Sequence, residues 1–168
     1  MAALDDVEMS AGRETLPTNG ENMDFDPKQF AERLVSGMAD AIVYADAEGV
    51  IRFWNGGATR IFGFAESEAV GRSLDIIIPE RLRQRHWEGF AATMRTGQSR
   101  YGEGQMLSVP ALRNDGTQIS VEFTIVPFTG ESGQMIGIAA IMRDATARFE
   151  ELRNLRRQLA SLAPEPKP

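Results

Sequence analysis

The chain contains one histidine, His86, within Pro79-Glu80-Arg81-Leu82-Arg83-Gln84-Arg85-His86-Trp87 near the start of a helical stretch. A lone imidazole turned toward an apolar pocket is the donor that a haem iron takes as proximal ligand. The same residue reads equally as a solvated histidine beside Arg83 and Arg85. Other catalytic chemistry is sparse. With no cysteine, thiolate catalysis, Cys-ligated zinc, iron–sulfur clusters, disulfides and flavin–cysteine adducts are excluded. No Ser/His/Asp order, paired carboxylates, phosphate-cradling glycine loop or metal-ligand cluster is present, so an enzymatic role is not expected.

A haem requires a large apolar cavity with a few placed polar groups. Ile76, Ile77, Ile78, Leu82, Phe90, Met94, Leu107, Val109, Val121, Phe123, Ile125 and Ile138 form a candidate lining, although the same residues would fill an ordinary core. Arg85 and Arg100 are candidate partners for propionates through charge-assisted hydrogen bonds, and solvated arginines are the commoner meaning. Trp87 reads either as a shield at the pocket edge or as cover for the helix surface, and packing is the favoured reading. Tyr44, Trp54 and Phe62 are expected in the core rather than as a stacking platform for a flavin.

The elements that must position these residues follow from periodicity. Asp26-Pro27 starts a helix whose face carries Phe30, Leu34, Val35 and Met38. Two short strands, Ala41 to Ala45 and Val50 to Trp54, flank the turn Asp46-Ala47-Glu48-Gly49. Short helices follow, broken at Gly63 and Gly71, and a longer helix runs from Pro79 to Thr96-Gly97. Three strands are then expected: Tyr101 to Leu112, Thr117 to Pro127 after an Asn114-Asp115-Gly116 turn, and Gln134 to Arg143. The second alternates Ile119, Val121, Phe123 and Ile125 with Ser120, Glu122 and Thr124, giving one buried face and one wet face. The fold class is α+β, with short helices on one side of a five-stranded antiparallel sheet.

Residues 1–25 read as a disordered leader, 26–146 as the sensory domain, 147–163 as a C-terminal helix and 164–168 as a tail. Leu152, Leu155, Leu159 and Leu162 make an a/d seam that calls for a partner, and a homodimer supplies one. A net charge of −6 argues against a nucleic-acid surface. No apolar run spans a bilayer and no signal peptide is evident, so a soluble, cytoplasmic protein is expected.

Several motifs together resemble the PAS family of sensory domains. They are Ala41-Ile42-Val43-Tyr44-Ala45-Asp46 with Gly49-Val50-Ile51, Phe53-Trp54-Asn55-Gly56-Gly57-Ala58 with Phe62-Gly63-Phe64, and Glu68-Ala69-Val70-Gly71-Arg72. Arg113-Asn114-Asp115-Gly116-Thr117 and Met142-Arg143-Asp144-Ala145-Thr146 complete the set, which covers about residues 28 to 147. The resemblance implies a ligand pocket between the sheet and the helix after Pro79, a structural role for Asn55, and a terminal Asp-x-Thr that leads into a coiled coil. Within the family, Pro79 to His86 is similar to the haem-binding subgroup, the FixL-type and direct-oxygen-sensor domains, which implies b-type haem with His86 as proximal ligand. The same correspondence puts Leu107 where those sensors carry a distal arginine and Gln105 where one carries a methionine ligand. Leucine cannot donate a hydrogen bond to bound O2, so stable O2 binding requires Gln105 to supply the donor, and CO, NO, redox state or haem itself are equally reasonable signals. The expected output is another protein. The alternatives are a haem-free dimerisation or partner-docking module with a filled or small-metabolite pocket, and a haem-dependent oxidative enzyme.

Overall fold

The computed structural model describes residues 25–97 and 105–162. Most of the expected leader, Arg100 and the tail lie outside them. Helix α1 (Pro27–Gly37) opens as its sequence predicts: the Asp26 carboxylate accepts from the Lys28 N–H at 2.9 Å, with Pro27 in the first turn. None of its residues is buried, and Phe30 and Leu34 stay about half exposed.

Strands β1 (Ala41–Asp46) and β2 (Ile51–Trp54) form the first hairpin. Helices α2 (Gly56–Phe62) and α3 (Glu66–Ala69), a 3-10 turn over Leu74–Ile76 and helix α4 (Glu80–Thr96) follow. Gly63 and Gly97 end α2 and α4 in the left-handed conformation, as the glycine positions predict. Pro79 caps α4 rather than opening it. Strands β3 (Leu107–Leu112), β4 (Gln118–Thr129) and β5 (Met135–Asp144) lead to helix α5 (Thr146–Leu162). The sheet order is β2-β1-β5-β4-β3, with every described pair antiparallel. Of the expected strand from Tyr101, residues 101–104 lie outside the described residues, and β3 begins at Leu107, after Gln105 and Met106. β4 continues two residues past Pro127, because Phe128 and Thr129 still find partners in Gly137 and Met135.

The register assigns the two faces. Ala41, Val43 and Ala45 lie opposite Met142, Ala140 and Ile138, which lie opposite Phe123, Ile125 and Pro127 in turn. Leu107, Val109 and Ala111 face Phe123, Val121 and Ile119. This face meets the helices and carries the core, in which Trp54, Phe62, Ile51, Val43 and Val121 are fully buried. Trp54 and Phe62 are core residues as expected. Tyr44 is not: alternation turns it to the outer face, where its ring meets Phe128 edge-on at 5.3 Å and its hydroxyl donates to the Ile136 carbonyl. On that outer face Ser120, Glu122 and Thr124 are half-buried rather than wet. Arg148 of α5 pairs with Glu122, and the Thr146 hydroxyl accepts from the Ser120 N–H at 3.0 Å.

Asn55 has the structural role expected of it. Its Oδ1 accepts from the Ile42 and Ala58 N–H groups at 2.9 and 2.8 Å, and its Nδ2 donates to the Val35 and Asp40 carbonyls at 3.0 and 3.1 Å. One side chain thereby ties α1, β1 and α2 together.

Candidate cofactor site

His86 lies on the stripe of α4 that turns inward. Leu82, His86 and Phe90 recur at i, i+4 spacing, and burial deepens along them to Phe90 and Thr93, which are buried. The imidazole stands edge-on to Trp87 with ring centres 4.9 Å apart, and 6.0 Å from Phe90. Its Nδ1 is buried and has no hydrogen-bond partner among the described residues. Burial pushes its pKa below the ordinary 6.5, and the Asp75 carboxylate offsets part of that shift. A neutral imidazole with an unused ring nitrogen is the form that ligates a metal, so the donor chemistry at His86 suits a haem iron.

Asp75 belongs to this neighbourhood although the sequence did not single it out. Its Oδ1 accepts from the Trp87 indole N–H at 2.9 Å and lies 3.7 Å from the Arg83 guanidinium, which also donates to the Ile78 and Asp75 carbonyls. The 3-10 turn and α4 are thus fastened side by side. The Trp87 ring also lies against Gly49, where φ is +77° and an added Cβ would fall within the indole. Only glycine suits both conditions there. The Asp46–Gly49 turn predicted that glycine for its backbone, but a close approach by a residue far along the chain leaves no local signal.

Of the other candidates, Phe90 and Ile138 are buried and Val121 is 2% exposed, while Ile78, Leu82, Met94, Leu107, Phe123 and Ile125 are half-buried. Val109 faces the same side of the sheet but is 40% exposed, so it does not close the wall. Arg85 is exposed, Gln105 is exposed just ahead of β3, and Arg100 lies outside the described residues. A groove of about 560 Å³ opens beside the histidine, lined chiefly by Trp87, Phe90 and Met94 of α4, Ala47 and Glu48 of the first turn, and Met135. His86 is not among its walls. Ala47, Glu48 and Met135 were missed from sequence because they come from the first turn and the start of β5, which reach α4 only in the folded chain.

The profile of the PAS family, described as the PAS fold, matches residues 29–145. The sensor protein FixL of Bradyrhizobium diazoefficiens is 31% identical over 121 residues, covering 68% of this chain and 23% of FixL. The oxygen sensor protein DosP of Escherichia coli is 27% identical over 129 residues, covering 75% of this chain and 16% of DosP. The chain therefore spans less than a quarter of the length of either relative. Among solved structures, a PAS domain from Colwellia psychrerythraea superimposes with a TM-score of 0.64 at 24% identity, covering 73% of this chain and 99% of that one. The family match, the order of the strands and the shared architecture agree: the chain belongs to the PAS family.

Proposed function

We propose that this PAS domain binds b-type haem with His86 as proximal ligand, and that a diatomic gas or a redox change at the iron is its signal. The observation that carries the reading is the buried, unpartnered Nδ1 of His86 on the inward stripe of α4. The similarity to FixL and DosP supports it. Haem would supply an iron able to bind small ligands and change oxidation state. The chain's own residues do the rest. Burial keeps His86 neutral, Trp87 and Phe90 hold its ring, and Leu107 offers an apolar surface on the sheet side, with Gln105 the nearby polar residue. Val121, Phe123, Ile125 and Ile138 continue that wall, with Val109 at its exposed edge, and Ile78, Leu82 and Met94 flank the histidine.

The output reading follows from the junction after β5. The Asp144 carboxylate accepts from the Thr146 N–H at 2.9 Å and from Arg113 at 2.8 Å, so the start of α5 is fastened to the sheet. A ligand that favours one arrangement of the sheet would bias α5. We read Leu152, Leu155, Leu159 and Leu162 as a homodimer seam, with the signal passing to a separate output protein in the cytoplasm. Among the described residues no helix is long and apolar enough to cross a membrane.

The test is the visible spectrum of protein expressed with haem supplied, beside His86→Ala. A Soret band in the wild type that is lost or greatly weakened in the variant supports the reading; equal binding by both overturns it. Exposing the ferrous protein to O2, CO and NO then separates the signals, and a stable O2 complex would contradict the placement of Leu107. The groove whose walls omit His86 favours a second reading, a haem-free docking module that takes a small apolar molecule against Trp87, Phe90 and Met94. Absence of a Soret band selects it.

A further inference from the structure

We propose that the acidic stretch Leu4-Asp5-Asp6-Val7-Glu8 of the same chain docks in a basic groove between α5 and β4, with its carboxylates on Arg153, Arg156 and Arg157. The inference does not depend on haem at His86. The groove has a volume of about 410 Å³ and is lined by these three arginines, by Phe149 and Leu152 of α5, and by Ser120 of β4. All three arginines are exposed, and among the described residues none of them forms an ion pair. Arg148, earlier on the same helix, is already paired with Glu122. Arg153 stands three residues from Arg156 and four from Arg157, spacings at which like charges on a helix repel each other. Phe149 is half-buried and Leu152 is 42% exposed, so the cations border an apolar floor. Such a groove suits an occupant whose carboxylates alternate with apolar side chains.

Charge and reach identify that occupant. Residues 1–24 carry Asp5, Asp6, Glu8, Glu14, Glu21 and Asp24 against a single basic residue, Arg13. The acids are densest at Asp5, Asp6 and Glu8, where they surround Val7 and follow Leu4. Three carboxylates answer three guanidinium groups through charge-assisted hydrogen bonds, while Leu4 and Val7 suit the floor made by Phe149 and Leu152. Reach sets no obstacle. Residues 9–24 can span about 50 Å of extended chain, whereas a compact domain of this size has a radius of gyration of about 14 Å. Exposed ion pairs are individually weak, but the tether makes the encounter intramolecular and raises the effective concentration far above that of a separate peptide. An acidic partner of α5 would first have to displace this stretch.

The chain's lack of cysteine permits a direct test with the full-length protein, because Ser10→Cys provides one attachment point for a nitroxide. In 15N-labelled protein at low salt, the nitroxide should broaden the backbone amide signals of residues 149–160 most strongly. Raising the salt from about 0.01 M to about 1 M shortens the Debye length from about 30 Å to about 3 Å and should remove most of that broadening. Arg153→Glu, Arg156→Glu and Arg157→Glu together should abolish it, and adding Asp5→Lys, Asp6→Lys and Glu8→Lys should bring it back. Broadening spread evenly over the domain, or broadening that survives the arginine reversal, overturns the proposal. So does its absence from residues 149–160, which would leave the groove to an acidic segment of another protein. Mixing nitroxide-labelled 14N protein with unlabelled 15N protein separates the two chains of any dimer. Broadening of residues 149–160 in the mixture as strong as in the single-species sample overturns docking within one chain.

Discussion

Replacing Asn55 with alanine should strongly destabilise this domain, although the residue is not part of the candidate cofactor site. Asn55 is 4% exposed and makes four hydrogen bonds, to Ile42, Ala58, Val35 and Asp40. Each is worth about 1 kcal/mol net, and more where the abandoned partner stays buried. The Ala58 contact is also the N-cap of α2, whose loss costs about 1 kcal/mol by itself. Together these give a loss of about 3–5 kcal/mol, a large share of the roughly 5–15 kcal/mol that holds an ordinary domain together. Urea unfolding followed by the fluorescence of Trp54 and Trp87 measures it, with the midpoint falling and the slope unchanged. Asn55→Asp is the informative companion. It keeps an oxygen for Ile42 and Ala58 but sets a second oxygen against the Val35 and Asp40 carbonyls, so it should be less damaging in mild acid, where the carboxyl can protonate. A loss below about 1 kcal/mol for Asn55→Ala would refute the view that this side chain fastens α1, β1 and α2 together.

Three further outcomes follow from the site and its frame. Gly49→Ala should destabilise by about 2–4 kcal/mol, from positive φ and from the clash with Trp87, and should change Trp87 emission; a neutral result would mean that the indole does not lie on the turn. Trp87→Phe should cost about 1–2 kcal/mol by removing the indole N–H from Asp75, and should change how haem is held, read as a shift in the Soret maximum. The Arg143 guanidinium, through its hydrogen bonds and charge, holds the Asp40 carboxyl below its usual 3.8. That stability is present above the unfolded value and is lost as pH falls through the lower folded value. Asp40→Asn should therefore flatten the acid limb of a stability–pH curve, and an unchanged limb would show that the pair contributes nothing.

The elements were legible where local chemistry specifies them. Asp26-Pro27 announced the start of α1, Gly97 the end of α4, and Asp115-Gly116 the turn between β3 and β4. Alternation along β4 identified which residues face the core. What sequence could not show was contact between distant segments. Tyr44 looks like a core residue by type, but its strand position turns it to the outer face. Trp87 looked like general packing, whereas it is fastened to Asp75 and seated on Gly49. The candidate site was legible as a stripe, Leu82-His86-Phe90, because helical periodicity is local. Its walls were not, since Ala47, Glu48 and Met135 reach α4 only after the sheet has formed.

The presence of one histidine in the chain allows the central claim to be tested at a single atom pair. Protein grown on 15N-labelled histidine and reconstituted with haem carries the label at His86 alone. In the ferrous form, the low-frequency iron–histidine vibration in the resonance Raman spectrum should move to lower frequency relative to unlabelled protein. A clear iron–ligand band that does not respond to the label, or a protein that retains no haem, would contradict the assignment of His86 as the proximal ligand.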